Sequence, residues 1–515
     1  MRRLYLFGMM AAATLLYSCH KDTEIEYRDV IVHDTVTIDK TVTEYVNAGQ
    51  YFGNKPLLID RGDTVIISYG DINVGNVDDD VVFGMTSTIM TPHGKDKGAT
   101  INCIGIGAAV LVEGEGGGKR VDMSAEPTNV TIVNRGTITV HTKDLYEKFK
   151  ADLWTRTDTL KYEYLRVLPL YVGKNSKVIN EGIINVYFDH DETSPCTVYT
   201  MALVAGDGGQ IVNSGEIHFY GKGSNYTRMR GVATFANNIT VVNDGIMTAE
   251  VEMAEDSRGI TTGGTLSNVI NNGTIDFKLP GTLFGMTRFG NSNIVNNGKI
   301  HLTSLNRPAG LEDNFYQVAG IYEPISGATQ NIPTGLSTII NRGDITIDIS
   351  GDGVVNTDRT CFGIYLDVQA GTTEVIKHFN VNITNDSLIT INNFAGNPCK
   401  AAELGGISRI YKEKNVKLYL SVGNWKTKIR DFKTDNLFYG TGVNMNLGAS
   451  KFTFLPGEKY TFGTPCSVSD FLAGEGNELS PVTSANFEAT NANYPFVFDE
   501  TEQTITINNA TPVAK

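Results

Sequence analysis

Three residues able to exchange protons or hold a cation, His218, Asp276 and His301, occupy the same place in a recurring nine-residue pattern. If that pattern is structural, the three side chains stand in one line, and such a line is a candidate general base or metal site. The complete line reads Thr139, Asn185, His218, Thr248, Asp276, His301, Thr346 and Thr390. A water-facing strand in which β-propensity favours threonine explains the same line without chemistry. A second set lies in the connections 141–168, 221–230, 303–318 and 348–361: Trp154, Tyr226 and Tyr316 with Arg228, Arg230 and Arg307, accompanied by Arg156, Tyr162, Tyr164, Arg166 and Arg359. Arginine forks grip carboxylate or sulfate in a bidentate manner, and aromatic faces stack on sugar rings, so this set reads as a surface for a glycan or host ligand. The same residues also suit the covering of loop backbone, and Leu145, Phe149 and Leu153 have the spacing of a short packed helix.

What must position both sets is the pattern itself: two apolar residues, Asn, any residue, Gly, any residue, then apolar, polar, apolar. It occurs eight times, around Asn134, Asn180, Asn213, Asn243, Asn271, Asn296, Asn341 and Asn385, with glycine two residues on in each copy except Ser387. The residues after the glycine alternate with period two, the signature of a strand buried on one side. One inward column is Ile138, Ile184, Ile217, Met247, Ile275, Ile300, Ile345 and Ile389; the next is Val140, Val186, Phe219, Ala249, Phe277, Leu302, Ile347 and Ile391. Spacing between successive asparagines varies from 25 to 46 residues, so the strand core is constant while the connections change length, as in a β-solenoid. Further apolar strands precede most copies, for example Gly231-Val232-Ala233 and Gly320-Ile321-Tyr322, implying two or three strands per turn. The asparagines are expected to stack as an amide ladder, and the glycines to admit a positive φ at a corner.

The fold class expected is therefore all-β, a right-handed parallel β-helix. The pattern, over about residues 130–392, resembles the coils of autotransporter-type adhesin passengers and polysaccharide-lyase-type β-helices. That resemblance implies a fold and leaves function open between an adhesin or glycan-binding protein, a polysaccharide lyase or hydrolase, and a structural surface component. Asn356-Thr357-Asp358 matches the first element of polygalacturonase-like hydrolases, but no Asp-Asp or Gly-His-Gly follows, and Asp78-Asp79-Asp80 lies upstream. No outward column gathers the carboxylates of a calcium-dependent lyase. No catalytic residue, metal or cofactor is assigned.

The chain opens with Arg2 and Arg3, an apolar run from Leu4 to Leu16, then Tyr17-Ser18-Cys19, which reads as a secretory signal over residues 1–18. Leu16-Tyr17-Ser18-Cys19 resembles the lipobox of bacterial lipoproteins, implying lipidation at Cys19. The run from His20 to Glu26 resembles the surface-export signal of Bacteroidota lipoproteins, implying an outer-membrane anchor facing outward. Residues 19–50 read as an extended stalk, 51–424 as the β-helix with an N-terminal cap, and 425–515 as a β-rich C-terminal cap. Asp34-Thr35-Val36 within the stalk resembles the O-glycosylation sequon of the same bacteria. A formal net charge of −14 argues against nucleic acid. Cys103, Cys196, Cys361, Cys399 and Cys466 lack metal or disulfide-framework spacing.

Overall fold

The computed structural model describes residues 42–46, 64–68, 71–74, 101–108, 111–113, 119–121, 129–142, 164–189, 197–224, 227–288, 292–306, 317–326, 336–350, 360–369, 377–393, 399–407, 416–430 and shorter segments between 438 and 507. The chain divides into two compact units, Met1–Asp39 and Lys40–Lys515, and every described residue belongs to the second. The signal, Cys19 and the sequon at Asp34 lie outside the described residues.

Each coil between Thr131 and Gln369 has three strands. In one coil these are Gln210–Asn213, Glu216–Gly223 and Thr227–Thr234; in the next, Thr240–Asn243, Ile246–Met253 and Asp256–Thr262. Equivalent strands pair in parallel, with Asn213 opposite Asn243, Ile217 opposite Met247 and Val232 opposite Ile260. The result is three parallel sheets of stacked strands, a parallel β-helix. The first sheet holds the strands entering each Asn motif, the second the strands leaving it, and the third the strands beginning at Ile101–Ala108 and Tyr164–Val172.

The core is the set of inward columns. Ile132, Val178, Ile211, Val241, Val269, Ile294, Ile339 and Ile383 of the first sheet are fully buried, and both columns of the second sheet are at most 2% exposed. Each such side chain contributes about 1.5–3 kcal/mol of gross transfer free energy, which is why register is rigidly specified: a slip of one residue would turn every apolar side chain outward. The third sheet answers these large residues with glycine. A Cβ on Gly231, Gly259, Gly285 or Gly320 would come within 2.5–2.7 Å of Met247, Ile275, Ile300 or Ile345, respectively. Glycine at that column lets the second-sheet side chains reach across the solenoid.

The motif glycines serve a different purpose from the one their sequence suggests. None has a positive φ. A Cβ on Gly215, Gly245, Gly273 or Gly298 would lie 2.0 Å from the carbonyl oxygen of the glycine one coil earlier, so the position is glycine for clearance between coils. Left-handed backbone occurs instead at the corner between the third sheet and the next first-sheet strand, where Asn129, Asn175, Gly208, Asn238 and Leu266 have φ between 50° and 67°. Asn and Gly accept that conformation readily; leucine does not.

Parallel stacking also extends past the limits read from sequence. Val42–Val46, within the expected stalk, pairs with Thr64–Ser68 in the first sheet, and beyond residue 424 the second sheet continues through Lys451–Phe454 to Phe487–Ala489. Those terminal strands lack the Asn motif, the only marker by which the sequence delimits a coil. Near the end, Pro465–Ser467, Thr504–Ile507 and Phe496–Asp499 form a separate antiparallel sheet.

Candidate functional site

The outward line of the second sheet is continuous in register: Thr139, Asn185, His218, Thr248, Asp276, His301, Thr346 and Thr390 are successive parallel partners. Its members nonetheless separate into two groups. His301 lies between two carboxylates, with Nδ1 3.0 Å from Asp276 and Nε2 2.9 Å from Asp348, and Asn392 donates to the other oxygen of Asp348 at 2.6 Å. His218 is two strands from Asp276; its ring nitrogens meet Thr248 Oγ1 and Glu216 Oε2, each at 2.7 Å. Beside it, His141, Tyr187 and Tyr220 stack ring on ring at 5.0 and 5.4 Å, and His218 stacks on Tyr220 at 5.7 Å. Burial pushes the Tyr220 hydroxyl up, with Tyr187 and Glu216 adding to the effect. Among the described residues no three His, Cys, Asp or Glu converge as metal ligands.

The asparagines form one buried chain of amide hydrogen bonds. Each Nδ2 donates to the next Oδ1, from Asn134 through Asn180, Asn213, Asn243, Asn271, Asn296 and Asn341 to Asn385, at 2.6–2.8 Å. All eight are fully buried. Their polar capacity is spent on one another and on neighbouring backbone, leaving nothing for a substrate.

The densest charged constellation lies on the third sheet, at the starts of strands that follow the long connections. Tyr199 is flanked one coil before by Arg166 and one coil after by Arg230, whose guanidinium carbons sit 6.0 and 5.2 Å from its ring centroid. Arg230 is 3% exposed, pairs with the Asp256 carboxylate and donates to the carbonyls of Met229 and Asp256 at 2.8 and 2.9 Å. Arg258 reaches the same carboxylate at 3.0 Å and covers the Phe284 ring at 5.2 Å. Arg228 forks onto Glu255 with two contacts of 2.7 Å. Burial works against the Asp256 carboxylate, but Arg230 and Arg258 hold its carboxyl well below the usual range. Burial lowers Arg230, while Asp256 outweighs burial at Arg258 and raises it. Four arginines thus face two carboxylates, and the Nε atoms of Arg166 and Arg230 are buried without a hydrogen-bond partner among the described residues.

Of the sequence-derived binding set, Arg228 and Arg230 belong to this constellation, whereas Trp154, Tyr226, Arg307 and Tyr316 lie outside the described residues. Arg230 is not a loop residue. It stands within the strand Thr227–Thr234, and its burial against Asp256 removes it from direct contact with a ligand in this conformation. Tyr199, Glu255, Asp256 and Arg258 were not singled out in the sequence; their strands carry no Asn motif, and only the register Arg228–Asp256 and Arg230–Arg258 brings them together. A further ion pair, Arg288 at the end of the strand Thr282–Arg288 with Glu323 within Gln317–Ser326, is enclosed, both residues at most 1% exposed.

No family model, no curated protein and no solved structure matches this chain.

Proposed function

We propose that this protein is a lipid-anchored surface protein of the bacterial outer membrane that binds a glycan or host-surface ligand without altering it. The observation that carries the binding reading is the arginine cluster of the third sheet. Among the described residues its cations outnumber their carboxylates, on a chain whose net charge is −14, so a local surplus of positive charge stands against the overall sign. Holding guanidinium groups half-buried costs desolvation free energy unless partners are supplied, and an acidic ligand supplies them. The anchor reading rests on the resemblance of Leu16-Tyr17-Ser18-Cys19 to a lipobox.

The test uses acyl-free protein starting after Cys19 on an array of neutral and acidic glycans. Saturable binding that leaves polymer length unchanged is the expected result; absence of binding to every glycan overturns the reading. Cys19→Ser should abolish fatty-acid labelling, and persistent labelling with outer-membrane retention would exclude the anchor. One observation favours a second reading, a lyase or hydrolase: His301 between Asp276 and Asp348 has the components of an acid–base pair. Depolymerisation that disappears in His301→Ala would establish it over binding.

A further inference from the structure

We infer that the arginine cluster recognises an acidic polysaccharide through charge alone, taking up two carboxylate or sulfate groups of a chain lying along the stack of coils. The inference deepens the glycan-binding reading and rests on it.

The aromatic residues here do not provide sugar platforms. Tyr199 has a guanidinium on the coil before and another on the coil after, and the Phe284 ring is covered by Arg258 and by Tyr322, whose centroid is 4.3 Å away. Tyr322 in turn stacks on Tyr365, which stacks on Phe362. Phe284, Tyr322, Phe362 and Tyr365 sit 2–5% exposed, so a pyranose cannot lie on them, and the two faces of Tyr199 are taken by Arg166 and Arg230. Their effect is to orient arginines whose planes they flank. Recognition therefore falls to the cations.

The surplus charge occupies two places. Arg230 and Arg258 share the single carboxylate of Asp256, leaving one positive charge in excess. Arg166, stacked on Tyr199, has no carboxylate partner among the described residues and is the second. Arg228 adds little, because both its contacts are met by Glu255. The two places are two to three coils apart, about 10–14 Å along the axis at the usual strand spacing. A polysaccharide lying along the axis can present successive acidic groups to both places. A planar carboxylate or a sulfate meets a guanidinium with paired hydrogen bonds, whereas a neutral glycan gives those donors nothing better than water does.

The experiment measures binding of the acyl-free protein to a polyuronate, a sulfated polysaccharide, neutral dextran and a single-stranded DNA oligomer over a range of salt concentrations. The expected result is binding to one or both acidic polysaccharides, with log affinity falling against log salt with a slope of about two, one for each surplus charge. Arg166→Gln and Arg258→Gln should each reduce the slope by about one and weaken binding by about tenfold. Arg166→Lys keeps the charge and should keep the slope while losing affinity, and Arg228→Gln should change little. Because Arg166 has no described ion pair to lose, its variants keep the test informative if Arg258→Gln unfolds. Glycan binding with no salt dependence, equal binding to dextran, or a slope unmoved in both Arg166 and Arg258 variants overturns the inference while leaving glycan binding intact. Equal binding to DNA overturns the polysaccharide assignment. Failure to bind any glycan removes the functional reading beneath it.

Discussion

From Asn134 to Asn341 the first corner of each coil turns within two residues, because glycine follows the asparagine; at Asn385 the residue is Ser387 and the chain runs on as one strand, Lys377–Asn393. The coil after it does the same in Val416–Arg430, and pairing between the two slips around Asn385 and Leu388. The amide ladder reaches both kinds of corner, since Asn341 donates to Asn385 at 2.6 Å. Asparagine alone is therefore insufficient for a sharp corner. What sharp corners share is the absence of a Cβ where the preceding coil's carbonyl oxygen lies, 1.8 Å from a Cβ built on Gly343. A serine in that geometry would collide with backbone, and straightening the corner removes the collision.

The largest expected effect comes from carrying the serine into the sharp region. Gly245→Ser places a Cβ 2.0 Å from Gly215 O and 2.9 Å from Ser214 C, backbone atoms that have little room to yield, and 3.0 Å from Nδ2 of the ladder residue Asn213. A loss of about 4 kcal/mol is expected, the range reserved for strain that the fold cannot relieve. Denaturant unfolding measures it, and a loss under about 1 kcal/mol would leave clearance without force as an explanation.

Next in size is the break of a non-repeating feature. Asp256→Asn leaves Arg230 buried beside a neutral group and should cost about 3 kcal/mol at neutral pH. The carboxyl of Asp256 is held below its unfolded value of 3.8, so its contribution is complete above that pH and drains as pH falls toward the folded value. Glu323 has the opposite sign: burial lifts it above 4.5 despite Arg288, so its contribution is complete below that pH and is lost as pH rises through the lifted value. Melting followed between pH 2 and 5 should show a shallower acid limb in Asp256→Asn than in the wild type. Identical limbs would mean that Asp256 is not the group being protonated.

Asn271→Ala tests the element common to both corners. It strands the Asn243 amide donor and the Asn296 acceptor, which bond through Asn271 at 2.7 Å on each side. The expected loss is about 1–3 kcal/mol, smaller than that of Gly245→Ser because no backbone has to move. A thermal melt identical to the wild type would remove the ladder from the stability argument. In the other direction, Leu266→Asn should stabilise by about 1 kcal/mol, since leucine at φ 58° bears strain that asparagine largely avoids; an unchanged midpoint would show the strain is already relaxed.

How much of this was legible follows from which positions repeat. Two of the three sheets and their register could be read directly, because Asn, Gly and the paired apolar columns recur at fixed offsets whatever the loop length. The glycine's purpose could not, since clearance depends on the coil before and no single copy of the motif contains it. The third sheet was legible only as apolar strands. Its outward residues, Tyr199, Arg230, Arg258 and Phe284, differ from coil to coil, so their adjacency exists only after the register is known. His301 and Asp276 could be placed in one line from the motif, whereas Asp348, two residues further along the next strand, closes the group from a column the pattern does not mark.

The smallest effect is expected from Ser387→Gly, and it is the most discriminating. Restoring glycine removes the obstacle to a sharp corner but also removes the Ser387 hydroxyl, which bonds Asp344 Oδ1 at 2.9 Å on an exposed edge. It further adds the backbone entropy of glycine within a strand, a cost of about 0.5–1 kcal/mol. An exposed hydrogen bond is of similar or smaller worth, and a recovered corner would offset both, so the net change should stay within about 1 kcal/mol. The informative contrast is with Gly245→Ser: the same pair of residues exchanged in the opposite sense at two places in one stack. If clearance governs, the effects differ severalfold, because the coil at Asn385 has already opened and has no collision left to relieve. Equal and opposite effects would instead mean that glycine and serine act through intrinsic conformational preference, independent of the coil beneath, and the straight strand Lys377–Asn393 would then owe its form to its neighbour Val416–Arg430.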